Sequence, residues 1–308
     1  MKKIISISGD IGSGKSSVAS DLKKLTSYEI IGTGNIQRTI AEKRGITTLE
    51  LNKISQTDRS IDDEIDSYVI KLGANENNLI VDSRLAWHFI PDSFKVYLSV
   101  DPMIGSERVY QAKRSSEENT SLQQTFQNNH ERQELEDVRF AKLYNIRFRK
   151  YHNYDLVIDT SHTTPDLIAE KIKQCYDQWL AGQSVPQLWV NPKKLFPSQD
   201  NPDSNESSLD EILQSINQHG WSFEHPVSVF CYQQCVFIWD GHKRTQAAEK
   251  LKIPLIPAHI LTEDAEFKLE NGVSAKQQAE KLNEKTFQDW ERSLQFKYQA
   301  YPEKYKLV

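Results

Sequence analysis

The stretch Gly9-Asp10-Ile11-Gly12-Ser13-Gly14-Lys15-Ser16 stands between the apolar run Ile4-Ile5-Ser6-Ile7-Ser8 and the helical pattern that begins Ser17-Val18-Ala19. It fits the pattern G-x-x-x-x-G-K-[ST], and the two flanking elements are the ones this pattern requires. Glycines at positions 9, 12 and 14 let the backbone curl until successive N–H groups and the first turn of the helix converge, which makes a seat for an anion. In such a loop Lys15 reaches the β- and γ-phosphates of a nucleoside triphosphate, Ser16 offers its hydroxyl to Mg²⁺, and Ser17 extends the cradle. The expected cofactors are therefore ATP and Mg²⁺.

Outward from the loop, apolar β-rich runs alternate with helical patterns: Glu29 to Ile31, helices from Asn35 onward, Leu79 to Val81, Val96 to Val100 and Leu156 to Ile158. That alternation predicts an α/β fold, a parallel sheet covered by helices. Thr47 with Glu50 reads as a capping box, and Thr164 before Pro165 as an N-cap with proline at the first helical position. Asp82 follows the strand Leu79-Ile80-Val81. It is the candidate for a second carboxylate near Mg²⁺, with a turn-capping role as the alternative.

A chain of 308 residues, 38% hydrophobic and 26% charged, has room for two cores. Net charge −5 and a pI near 6.0 give no general attraction to a polyanion, so nucleic acid is not an expected partner. No apolar run is long enough to span a bilayer, and the first residues lead straight into a strand, so a cytoplasmic protein without membrane attachment is expected. Cys175, Cys231 and Cys235 are too few for a disulfide framework, and the Cys231/Cys235 pair lacks the companion ligands of a zinc site.

Residues 1–180 resemble the short archaeal-type cytidylate kinases, a P-loop nucleoside-monophosphate kinase family. Gly32-Thr-Gly-Asn-Ile-Gln-Arg38 looks like the family's monophosphate-binding segment, and Val81-Asp-Ser-Arg84-Leu-Ala-Trp87 like its strand-end element E/D-G-R-L-A-G-W, with Ser83 in place of the glycine and His88 after Trp87. The resemblance implies that Arg38 and Arg84 hold the acceptor phosphate, alongside Asp82. Arg108, Arg132 and Arg139 resemble the arginines of a helical lid closing over ATP, and the seven-residue spacing of the last two puts both on one helix face. Cytosine would be read by polar groups in residues 35–72, among Ser55, Gln56, Asp58, Arg59, Asp62 and Asp66. The implied reaction is transfer of the ATP γ-phosphate to CMP or dCMP, with small-molecule nucleotides as partners. A different small acceptor and a non-catalytic nucleotide sensor are the alternatives.

Residues 181–187 carry Gly182, Ser184 and Pro186 without an apolar face and read as a linker. Residues 188–262 resemble the smaller α+β ParB/sulfiredoxin-like domain, chiefly through Asp240-Gly241-His242-Lys243-Arg244, a strand-to-helix turn that in this superfamily binds a nucleotide phosphate. That likeness implies a second phosphate site formed by Asp240, Gly241, His242 and Arg244. The turn holds no cysteine, so sulfiredoxin chemistry is not expected. Free-serine kinases carry D-G-H-H-R here together with an acidic residue in an earlier loop, where this chain offers Gln199 or Asp200. Residues 263–308, with Phe287, Trp290, Leu294 and Tyr298 at helical spacing, read as a helical tail of one or two helices packed on a core, the aromatics serving packing.

Overall fold

The computed structural model describes residues 2–55, 57–112, 121–199, 206–221, 226–233 and 235–294, which form two compact units, Met1–Val185 and Pro186–Val308. Gln56, Asp200 and Tyr298 lie outside the described residues.

The first unit runs β1 (Ile4–Gly9), α1 (Lys15–Thr26), β2 (Glu29–Gly32), α2 (Thr33–Arg44), α3 (Thr48–Ile54), α4 (Ser60–Asn75), β3 (Leu79–Asp82), α5 (Ala86–Phe89), β4 (Phe94–Ser99), α6 (Pro102–Gln111), α7 (Leu122–Tyr144), β5 (Leu156–Asp159) and α8 (Pro165–Leu180). Its strands pair in parallel in the order β2-β3-β1-β4-β5. All six residues of β1 are buried, as expected for a central strand covered on both faces. Chain order reverses on either side of β1, and a cleft opens at the carboxyl ends of strands at such a switch point. The glycine loop leaves β1 there. A parallel α/β sheet, as the alternating pattern predicts, thus carries the glycine loop at its switch point.

Local signals hold at most of the expected places. Thr47 and Glu50 form a capping box on α3. At α8 Thr164 is the N-cap and Pro165 opens the helix, as expected, though the Thr164 side chain caps no backbone N–H and interacts with the Asp166 carboxylate.

The second unit runs β6 (Leu188–Val190), β7 (Leu195–Phe196), α9 (Glu206–His219), β8 (Val227–Tyr232), β9 (Cys235–Asp240), α10 (His242–Lys250), β10 (Ile256–Thr262), α11 (Ala275–Glu280) and α12 (Glu284–Leu294). Its strands lie in the order β6-β10-β8-β9-β7 with mixed pairing: β10 is antiparallel to β6 and parallel to β8, β9 is antiparallel to β8, and β7 is parallel to β9. Residues read as a tail are built into this unit. Leu269, Ala279, Leu282, Phe287 and Trp290 share one buried cluster with Phe196, Phe230 and Phe237. Phe196, Cys235 and Phe237 need a cover of apolar surface, and α11 and α12 supply it.

Candidate active site

The glycine loop is shaped by what it touches. Gly12 has φ +77°, and a Cβ there would sit 2.1 Å from the carbonyl oxygen of Gly105 on α6, so backbone packs on backbone. Gly14 ends the loop at φ +82° with no side chain capping the amides of α1, which leaves those N–H groups to an incoming anion. Lys15 Nζ donates to the carbonyls of Gly9 (3.1 Å) and Asp10 (2.9 Å), curled over the loop it serves. Burial, reinforced by the neighbouring Arg84, lowers its pKa to about 7.

Ser16 Oγ donates to Asp82 Oδ2 at 3.1 Å, so the two expected Mg²⁺ ligands meet. One hydroxyl and one carboxylate suit Mg²⁺, which takes few protein ligands and completes its shell with water and substrate phosphates. Among the described residues no cluster of three or more His, Cys, Asp or Glu forms a denser metal site.

Arg84 reaches in two directions. Its Nη1 donates to the Gly9 carbonyl, and its Nε pairs with Glu136 Oε2 at 3.0 Å. Arg132, one turn before Glu136 on α7, pairs with Glu136 Oε1 at 3.1 Å. Burial pushes the Glu136 carboxyl up, but Arg84, Arg132, Arg149 and Arg139 outweigh it and hold the pKa at about 2. An anion at the heart of this cluster went unread in the sequence, although its i, i+4 relation to Arg132 was visible there.

The other expected arginines are placed differently. Arg139 pairs with Asp62 of α4 at 3.6 Å and is only 3% exposed, so it braces α7 against α4 while its charge also favours the Glu136 carboxylate. Arg108 on α6 donates to the carbonyls of Thr160 (2.8 Å), Ser161 (3.2 Å) and Gly12 (3.4 Å), joining the phosphate loop to the segment after β5. Arg38 is half-buried on α2, its guanidinium folded back toward Gly34. Of the polar groups read as base contacts, Ser55 bonds to the Leu51 carbonyl, Asp58 to Ser60, and Arg59 to Asp63. Asp62 is taken by Arg139, and Asp66 accepts from the Tyr144 hydroxyl.

In the second unit the turn after β9 has Gly241 at φ +101° leading into α10. His242 is buried, and its Nε2 accepts from the Ser198 N–H at 3.2 Å. Burial lowers its pKa to about 4. Arg244 donates to Asp240 Oδ2 (2.7 Å) and to the Pro226 carbonyl (2.9 Å). Both side chains are thus engaged within the unit.

A parallel sheet with this loop at its switch point, a hydroxyl–carboxylate pair beside it and arginines facing it define a P-loop kinase-like enzyme. The chain matches the cytidylate kinase-like family over residues 4–162 and belongs to it, as a nucleoside-monophosphate kinase-like enzyme. A cytidylate kinase of Sulfurisphaera tokodaii is 35% identical over 184 residues, 59% of this chain and 99% of that one. A cytidylate kinase of Natronomonas pharaonis is 32% identical over 165 residues, 53% of this chain and 83% of the other. An S-adenosylmethionine-dependent nucleotide dehydratase of Lacinutrix mariniflava is 35% identical over 189 residues, 61% of this chain but only 39% of that relative's length. Among the described residues no helix is long and apolar enough to cross a membrane.

Proposed function

We propose that the chain transfers the γ-phosphoryl group of ATP to CMP or dCMP, releasing ADP and CDP or dCDP. The observation that carries this reading is Arg84, whose guanidinium spans from the Gly9 carbonyl of the phosphate loop to Glu136. A cation so placed lies between a triphosphate on the loop and an acceptor phosphate beside it. Phosphoryl transfer needs positioning and charge neutralisation more than covalent help. The loop amides and Lys15 hold the β- and γ-phosphates, Arg38 and Arg84 hold the acceptor phosphate, and Arg132 adds positive charge at the same place. Arg108 keeps the loop in register with the segment after β5. Ser16 and Asp82 would hold Mg²⁺, which when bound neutralises charge on the β- and γ-oxygens. The acceptor phosphate is already anionic, so no general base is required. Preference for cytosine is supported by the archaeal relatives' names and sequence likeness.

The second unit is read as ParB/sulfiredoxin-like, its Asp240-Gly241-His242-Lys243-Arg244 turn a second phosphate site. One observation favours this: the first amides of α10 follow a left-handed glycine and have no side-chain cap.

The test is ADP release with ATP, Mg²⁺ and each of CMP, dCMP, UMP, AMP, GMP, dTMP and free serine. Turnover confined to CMP and dCMP, and lost in Lys15→Ala, is the expected result. Silence with every nucleotide refutes the cytidylate reading. A serine signal that survives Lys15→Ala moves the chemistry to the turn at Gly241.

A further inference from the structure

Asp10 is an odd residue for the second position of a loop that seats a polyanion, because a carboxylate beside a triphosphate repels it. Its main chain serves the loop: the N–H donates to the Leu98 carbonyl at 3.0 Å, and the carbonyl accepts from Lys15 Nζ and Ser13 Oγ, both at 2.9 Å. Its carboxylate is held from the other side. Oδ1 accepts from the Tyr97 hydroxyl at 2.6 Å and from Arg149 Nη1 at 2.7 Å, and Oδ2 accepts from the Val100 N–H at 3.1 Å.

Arg149 is the charged member of that set. Its Nε donates to both oxygens of Asp137 on α7, at 3.1 and 3.0 Å, while Nη1 serves Asp10. The guanidinium lies 4.5 Å from the centre of the Phe148 ring, and the side chain is 20% exposed. One planar group thus meets two carboxylates in two directions, which a lysine ammonium does not reproduce. Burial works against its charge, but Tyr97, Asp10, Asp137 and Glu136 together raise its pKa well above the ordinary arginine value.

We propose that Arg149 is a positioning residue for donor-nucleotide binding: it neutralises Asp10, keeps that carboxylate turned from the phosphates, and fastens the phosphate loop to α7 through Asp137. The inference rests on the loop's binding of ATP and is independent of which acceptor is used.

The experiment measures binding of a non-hydrolysable ATP analogue with Mg²⁺ to the full chain by calorimetry, with CMP affinity and melting temperature recorded for each variant. Arg149→Met leaves Asp10 uncompensated and is expected to weaken analogue binding roughly tenfold, with CMP affinity within about twofold of wild type. Arg149→Lys falls between the two. The double variant Asp10→Asn/Arg149→Met removes both charges and is expected to recover most of the lost affinity, a rescue that loss of packing alone would not give. Unchanged analogue binding in Arg149→Met, or a loss that the double variant fails to relieve, overturns the proposal. If Arg149→Met does not fold, Arg149→Lys decides: it keeps the positive charge but cannot meet Asp10 and Asp137 in two directions at once, and a roughly twofold to threefold weakening is expected. No weakening there overturns the proposal as well. A wild-type chain that binds no analogue would instead remove the donor-loop reading on which the inference stands.

Discussion

Lys15 is shielded from water and faces Arg84, and these two effects leave it with a pKa of about 7 before any nucleotide arrives. A bound triphosphate favours the ammonium, so its pKa rises on binding and the complex takes up a proton. Affinity for an ATP analogue is therefore expected to fall as pH rises above about 7. Calorimetry in buffers of different ionisation heat should show proton uptake there; affinity independent of pH across this range would contradict the assignment. The residues of this centre were unevenly legible. Lys15 and Ser16 follow from motif spacing, Asp82 from its place at a strand end, and Arg84 only from the resemblance to the family's strand-end element. Glu136 and Arg149 do not, because each sits in a charged stretch that reads as solvated until the fold buries it. Arg139 stands three residues after Glu136, and its ion pair with Asp62 of α4 depends on which helices the fold brings together, which spacing along one helix does not show.

Between elements, the contact of α4 with α7 is made by two polar pairs, Asp62 with Arg139 and Asp66 with Tyr144. Burial raises the Asp66 carboxyl to about 6 despite the hydrogen bond from Tyr144. A carboxyl whose folded pKa lies above its unfolded value binds more protons when folded. Its stabilising contribution is complete below the unfolded value near 4 and is lost as pH rises through about 6. Asp66→Asn is expected to flatten the decline in stability over that interval, by on the order of 1 kcal/mol once solvent screening is allowed for. Urea unfolding at several pH values would check this, and an unaltered decline would count against it. Sequence pattern located these helices and the α3 capping box well, because those signals are local. It could not show which helices face each other, since that depends on the order in which strands pair.

Across the whole chain, the alternation of strand and helix in the first unit was legible because its inner strands are short, largely apolar and buried runs. The second unit was less so. Its core depends on Phe287 and Trp290, which sequence spacing marked as apolar without showing that they cover β7 and β9. Trp290 is 1% exposed and its indole N–H donates to the Gln199 carbonyl at 2.9 Å. Trp290→Ala is expected to cost this unit about 3 to 5 kcal/mol. Hydrogen exchange should then show lost protection in β8 and β9 with that of β1 and β4 retained; equal loss in both sets would mean that the units do not unfold separately.

The late position of these core residues also bears on how the chain is made. The first unit has its last strand and helix by Leu180, while the second cannot close its core until Trp290 has been synthesised, about a hundred residues after β6 appears. During that interval Phe196, Phe230 and Phe237 lack their cover on a nascent chain. At ordinary elongation rates the exposure lasts roughly 5 to 20 seconds. A ribosome stalled before codon 287 would therefore hold a finished nucleotide-binding unit followed by an adhesive, half-built one, which makes this stretch the place where chaperones are most needed.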